Sequence, residues 1–82
     1  MTLDLMKIGD KKKIVSIDND LSIKKRLLEI GLSNGTDIEC ILINPFKNLI
    51  AYRVKDTTIA IRKSDGKKIF VDDKGNVGEA HE

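Results

Sequence analysis

The chain has 82 residues and a mass of 9.2 kDa, the size of one small domain. Hydrophobic residues at 40% and charged residues at 34% are typical of a globular domain and exclude a disordered segment. The net charge of +2 is uneven, because the basic excess lies in residues 1–71 whereas residues 72–82 are acidic. Two interpretations of the basic part stay open: solvated surface charge, or attraction to an acidic or phosphate-bearing partner.

Cysteine content and the absence of long apolar runs indicate the compartment. Cys40 is the single cysteine, which excludes an intrachain disulfide and a multi-cysteine zinc site. A lone thiol favours a reducing environment. The sequence has no signal-peptide pattern and no apolar run long enough to span a bilayer. We therefore expect a cytoplasmic domain that does not insert into the membrane.

The first predicted element is a strand over residues 11–18, KKKIVSID. Val15 and Ile17 share one face of an extended chain, and this alternation predicts that they point into the core. Ile14 lies on the opposite face, where it can cover a barrel end.

A helix is predicted over residues 20–30, where the apolar pattern changes to the helical period. Asn19 or Asp20 is a suitable N-cap, because its side-chain oxygen can accept from a free amide of the first turn. We expect Gly31 to end the helix in the left-handed region, so that Leu32 folds back onto the helix. The predicted apolar face consists of Leu21, Ile23, Leu27, Leu28 and Ile30.

Four further strands are predicted over residues 36–44, 49–55, 56–63 and 69–71. Their inward positions are Ile38, Cys40, Leu42, Ile50, Tyr52, Val54, Ile59 and Ile61. Five short strands with one helix after the first predict a mainly β fold, a small, strongly bent barrel. We expect residues 1–73 to form the domain and residues 74–82 to form a flexible polar tail.

Motifs for enzymatic chemistry are absent from the sequence. It contains no phosphate-binding glycine loop, metalloprotease motif or serine elbow. We therefore predict that the protein is not an enzyme. Cys40 is expected to be a small buried hydrophobe. His81 in the tail could touch a metal only loosely, and Asp72 and Asp73 point apart on an extended chain. No catalytic residue, metal ligand or cofactor is predicted from these residues.

A candidate docking surface lies at the end of the second strand. Ile41 and Ile43 fall on its wet face, and Phe46 follows in the loop that begins at Pro45. The cluster is compatible with a docking surface or with simple packing at the barrel end. We add Leu32, at the helix exit, to these apolar candidates. Three cations are expected to tune the attraction to a partner: Arg53, Lys55 and Arg62.

Two blocks of the sequence resemble one known family, the ferrous iron transport protein A (FeoA) family. RLLEIGLSNGTDI resembles its R-L-x-x-L-G-[LM]-x-P-G-x-x-[IV] pattern, and PFKNLIAYRVKDTTIAIRKSDGKKIFV resembles the block that follows it. The matching positions are Arg26, Leu27, Gly31, Leu32, Gly35, Ile38, Pro45, Phe46, Ile50, Val54, Ile59, Ile61, Arg62, Ile69 and Val71. Asn34, Lys47, Leu49, Asp56 and Gly66 depart from the pattern.

The resemblance implies an SH3-like barrel and a cytoplasmic accessory role in ferrous iron uptake. The implied partner is the cytosolic portion of the FeoB-type permease, a membrane protein that carries its own G domain. Two alternatives remain: a metal-responsive regulatory SH3-like domain, and a small-barrel nucleic-acid binder. The nucleic-acid alternative is weakened because few aromatic residues are present to stack on bases. As for cofactors, the resemblance implies none beyond weak contact with Fe²⁺ or another transition metal. The oligomeric state is left open.

Overall fold

The computed structural model describes residues 1–72, so the predicted tail lies outside the described residues. The strands are β1 (Lys11–Ile17), β2 (Asp37–Asn44), β3 (Leu49–Val54), β4 (Thr57–Arg62) and β5 (Ile69–Val71). Helix α1 is Leu21–Glu29, the short helix α2 is Lys63–Gly66, and a 3₁₀ turn covers Leu3–Leu5. The predicted five strands, with one helix after the first, are confirmed.

All strand pairs are antiparallel, and the sheet order is β4-β3-β2-β1-β5. β1 pairs with β2 through its first half and with β5 through its second half, which bends the sheet around the core. Within residues 1–72, β4 and β5 are the two ends of the sheet, and α2 connects them. The barrel is therefore closed by a helical turn at this point.

One aliphatic core fills the bent sheet. Tyr52 is its largest fully buried side chain, and its hydroxyl donates to the carbonyl oxygen of Leu3 at 3.1 Å. The N-terminal segment closes the core next to β5, since the amide of Val71 donates to the carbonyl of Met1 at 2.8 Å. The buried apolar residues are Leu3, Met6, Ile14, Ile17, Leu27, Leu32, Ile38, Cys40, Ile50, Tyr52, Val54, Ile61, Ile69 and Val71.

Helix α1 begins and ends as predicted. The Asp20 carboxylate accepts from the amide of Ile23 at 3.3 Å, so Asp20 is the N-cap. At the other end Gly31 has a φ of 100°. The amide of Gly31 donates to Leu28 at 3.0 Å and that of Leu32 to Leu27 at 2.9 Å, the two bonds of a Schellman motif.

The apolar face of α1 is narrower than predicted. Leu27 is buried and Ile23 packs partly against the core, whereas Leu21, Leu28 and Ile30 are exposed. The core contacts α1 through Leu27 and Ile23, which are four residues apart and lie on one side of the helix. The broad face expected from the sequence is therefore wrong. Asn19, the other N-cap candidate, is buried. Its side-chain amide donates to the carbonyl of Asp65 at 3.1 Å and links the start of α1 to α2.

A β-bulge in β1 reverses the predicted orientation of two side chains. Ile14 pairs with Val71 and Ser16 with Phe70, which leaves Val15 as the extra residue between them. Ile14 and Ile17 are consequently both buried, and Val15 is exposed. The prediction that Val15 points inward is wrong because strict alternation does not hold across a bulge.

A second register shift lies in β2, between Cys40 and Leu42. Cys40 pairs with Tyr52 in β3 and points inward as predicted, but the next paired residue is Leu42, opposite Ala51. Ile41 is the extra residue, so the strand beyond it changes phase. Leu42 is therefore on the outer face, contrary to prediction.

Candidate docking surface

The outer face of β2, β3 and β4 carries an apolar row next to a polar one. Directly opposed residues of antiparallel strands point to the same side of a sheet. Leu42, Ala51 and Ala60 are opposed across the three strands and form the apolar row. The next row toward the β2–β3 loop contains Asn44, Leu49 and Arg62. Leu42 is 59% exposed. The side chains of Ala51 and Ala60 are too small to cover it from the side.

The loop between β2 and β3 presents one aromatic side chain to solvent. Phe46 is 96% exposed. The Asn44 side-chain oxygen accepts from the amides of Phe46 and Lys47 at 3.2 and 3.3 Å. Asn48 has a φ of 53°, and its carbonyl accepts from the amide of Lys63 at 2.8 Å. The loop is thus held from within and from α2 while its aromatic tip stays solvated.

A groove beside this loop is lined by cations. We name it the cationic groove, and its lining residues are Lys47, Asn48, Leu49, Arg62, Lys63, Ser64 and Lys67. Four of these seven carry a positive charge, and none carries a carboxylate. The loop, the end of β4 and α2 bring these residues together. The local potential is therefore positive and attracts anionic groups.

A second groove, the mixed-charge groove, lies at the other end of the sheet. Its charged lining residues are Lys11, Lys12, Lys13, Asp37, Glu39, Arg53, Lys55 and Asp72. Lys13 and Asp37 form an ion pair at 2.9 Å, and Glu39 lies opposite both Lys11 and Arg53 in the sheet. Its charges therefore partly compensate one another. Leu49 and Val54 mark the two ends of β3, which at ~3.3 Å per residue separates the grooves by about 17 Å.

The structure divides the predicted docking residues into separate groups. Phe46 and Arg62 lie at the same end of the sheet, on the loop and on the outer face beside the cationic groove. Arg53 and Lys55 line the mixed-charge groove instead. The three predicted cations therefore do not form one group, because Arg53 and Arg62 lie at opposite ends of the β3–β4 pair.

The apolar candidates also separate. Leu32 is 0% exposed and belongs to the core, so it is not available to a partner. Ile43 pairs with the buried Ile50 and points to the inner face, where its 40% exposure places it at the open end of the barrel. Ile41 is the half-buried bulge residue. For Ile43 the barrel-end interpretation fits the structure better than docking.

The predicted docking residues did not include four residues of this surface: Leu42, Lys47, Lys63 and Lys67. Leu42 was missed because the bulge changes its side of the sheet. Lys63 and Lys67 are four residues apart, a spacing that places them on one side of a helical turn. That spacing is a usable signal, but Lys63 was placed at the end of the predicted strand 56–63 and Lys67 in the turn after it. Lys47 was noted only as a departure from the family pattern.

Within residues 1–72, two ionisable groups outside this surface, the Cys40 thiol and the Tyr52 hydroxyl, are buried in the core. Burial raises the pKa of the Cys40 thiol, and the charge of Asp10 adds to the effect. Burial also raises the pKa of Tyr52 well above its ordinary value, with smaller contributions from Cys40 and Asp4. Both groups therefore stay protonated at neutral pH. Within residues 1–72 no three His, Cys, Asp or Glu side chains are placed to hold a metal ion together.

The family follows from a direct comparison of sequence. A family model described as the FeoA domain matches residues 1–73. The chain belongs to the FeoA family. A curated relative of this FeoA domain is the "Fe(2+) transport protein A/Fe(2+) transporter FeoB fusion protein" of Porphyromonas gingivalis, 31% identical over 72 residues. The match covers 88% of this chain and 8% of the fusion protein, so the chain spans a small part of that relative.

Solved structures share the fold of this FeoA domain. The FeoA-like protein of Clostridium acetobutylicum aligns with a TM-score of 0.78 and 26% identity, over 88% of this chain and 84% of the other. Stenotrophomonas maltophilia FeoA complexed with zinc, described as a prokaryotic SH3 domain protein, aligns with a TM-score of 0.75 and 25% identity, over 88% and 89%. The predicted SH3-like fold is confirmed. None of the helices within residues 1–72 has the length and apolar content needed to cross a membrane.

Proposed function

We propose that this FeoA domain is a non-enzymatic accessory protein of ferrous iron uptake that binds the cytoplasmic portion of a FeoB-type permease. The carrying observation is the Porphyromonas gingivalis relative, in which a FeoA segment and a FeoB transporter belong to one chain. Two modules in one chain meet at a high effective concentration, which favours even a weak contact between them. In the separate chain the same contact has to form between two molecules.

Regulation by binding suits the chemistry of this domain. The exposed surface offers apolar and cationic side chains, whereas the buried thiol and phenol are held protonated. We propose that the domain hydrolyses neither GTP nor ATP and carries no resident metal. Any effect on iron uptake then passes through the permease.

The test is a binding titration between the purified protein and the cytoplasmic portion of the FeoB-type permease from the same genome. Saturable binding with one defined stoichiometry is the expected result. The GTPase rate of the permease portion is measured with and without the FeoA domain, because this readout separates an activating from an inhibiting role. Absence of saturable binding at any accessible concentration would refute the proposal.

A metal-responsive role is the second candidate, and one observation favours it. The Stenotrophomonas maltophilia relative was solved in complex with zinc. The donor set within residues 1–72 of the present chain does not offer three grouped ligands. Titration with Fe²⁺ or Zn²⁺, monitored by amide chemical shifts, separates the two candidates. Saturation at one equivalent, with shifts confined to one site, would favour metal sensing.

A further inference from the structure

We propose that the domain docks on an acidic, partly apolar surface of the permease's cytoplasmic portion through one contiguous face. This loop-end face consists of the apolar row Leu42, Ala51 and Ala60, the loop tip Phe46 and the cationic groove. The inference rests on the proposed function and adds to it the surface used and the chemistry of the partner.

Apolar anchors supply most of the energy of an interface, and the loop-end face has two. Phe46 and Leu42 are 96% and 59% exposed; Leu42 lies near the end of β2 and Phe46 in the loop that follows it. Hot spots concentrate near the centre of an interface, where a large side chain on one partner fills a pocket on the other. Ala51 and Ala60 complete the row with small side chains, so a partner can approach the sheet closely there. The arrangement fits an apolar patch with a pocket for one aromatic ring.

The charge around these anchors selects an acidic partner. Four cations line the cationic groove, while its lining holds no carboxylate to compensate them. Arg62 lies in the row next to the apolar row, which makes the two features continuous. The mixed-charge groove compensates its own cations through Asp37, Glu39 and Asp72 and therefore attracts an acidic partner less. Charge complementarity of this kind directs encounter and excludes basic partners.

The β2–β3 loop is already ordered for binding. Two hydrogen bonds to the Asn44 side chain and one from the Lys63 amide to the Asn48 carbonyl hold the loop from within the domain. A contact made by a pre-organised loop loses little conformational entropy on association. Phe46 can therefore contact a partner with only a small loss of conformational entropy in the loop.

The first experiment tests the aromatic anchor. Phe46→Ala is titrated against the cytoplasmic portion of the permease, with Leu21→Ala as the matched control, because Leu21 is 81% exposed and lies on α1. Phe46→Ala is expected to weaken binding about 10- to 100-fold, the loss typical of a hot-spot residue. Leu21→Ala is expected to bind like the wild type. Equal affinity of Phe46→Ala and wild type would overturn the inference, given unchanged amide spectra of both variants.

The second experiment tests the charge of the partner. The double variant Lys63→Glu/Lys67→Glu is compared with Lys24→Glu/Lys25→Glu, which makes the same change of charge on the exposed side of α1. The first is expected to lower the association rate at least 10-fold at low salt, with the difference shrinking as salt screens the charges. An equal effect of both variants would show a response to net charge alone and overturn the assignment of the groove.

Failure of the inference and failure of the proposed function give different results. Wild-type protein that does not bind the permease portion refutes both. Wild-type binding that neither Phe46→Ala nor the Lys63→Glu/Lys67→Glu variant weakens refutes the loop-end face alone. Parallel titrations use vesicles of phosphatidylglycerol and phosphatidylcholine, single-stranded RNA, and the protein against itself. If Phe46→Ala or the Lys63→Glu/Lys67→Glu variant loses binding to vesicles, RNA or a second copy while still binding the permease portion, the face serves that other partner. This result would overturn the inference.

Discussion

Replacement of Gly31 by alanine tests the physical basis of the turn between α1 and β2. The φ of 100° at Gly31 lies in the region that side chains with a Cβ rarely adopt. No heavy atom lies within 4 Å of the position that a Cβ would occupy, so a clash does not contribute. The cost is backbone strain, about 1–2 kcal/mol for alanine and about 2 kcal/mol or more for valine, whose branched side chain is stiffer.

Urea unfolding followed by circular dichroism measures this cost. A change in midpoint at constant slope reports a change in the free energy of unfolding without a change in the surface exposed. Gly31→Asn is the matched control, because asparagine tolerates the left-handed region better than alanine does. We expect stability in the order glycine, asparagine, alanine, valine. An alanine variant as stable as the wild type would refute the strain argument.

Four further predictions follow from buried groups and turns. Tyr52→Phe should cost about 1 kcal/mol at neutral pH, because it removes a buried hydrogen bond. Burial raises the pKa of Tyr52 above 10.0, so the unfolded chain loses this proton first. The free energy of unfolding should consequently fall as the pH rises above about 10, and less so in Tyr52→Phe. Cys40 is buried and its pKa is raised, so it should react with a thiol reagent only as fast as the domain unfolds locally to expose it. Lys55→Gly should raise the urea midpoint by relieving a φ of 59°, whereas Asp56→Gly should lower it. Ile14→Ala should cost about 2–4 kcal/mol and Val15→Ala under about 0.5 kcal/mol, which thermal unfolding separates.

Local signals in the sequence were sufficient for the five strands and for the two ends of α1. Asp20 and Gly31 are residues whose own chemistry fixes a cap and a left-handed turn, so no tertiary information is needed to place α1. The alternation of Ile50, Tyr52 and Val54 in β3 likewise predicts the inner face, because that strand is regular. In a strand without a bulge, the alternation of apolar residues is enough to predict which side chains point inward.

Tertiary fit decided the positions that sequence left ambiguous. Gly66 departs from the alanine favoured by the family pattern, and a Cβ there would come within 3.3 Å of the Asp4 backbone nitrogen. That close approach of α2 to the N-terminal segment is invisible in the local sequence. Asn19 also has a tertiary role, since its side-chain amide donates a hydrogen bond to the backbone carbonyl of Asp65 in α2. Neither contact has a periodic signature, so sequence alone could not supply it.

The two bulges explain why the candidate surface was the part predicted least well. A bulge adds one residue to one strand, which reverses inside and outside for the residues beyond it. Ile41 is the extra residue of the bulge in β2, four residues before Pro45. The sequence does not mark this insertion. The side of the sheet assigned to each apolar side chain at the end of β2 therefore could not be predicted. Once Leu42 is on the outer face and Ile43 on the inner one, the docking hypothesis loses one of its three aliphatic anchors, Ile43, and gains Leu42. Phe46 alone is insensitive to the register, because it lies in the loop beyond the last pair. An interaction surface that begins at a loop tip can therefore be anticipated from sequence, whereas its extension over the sheet requires the register.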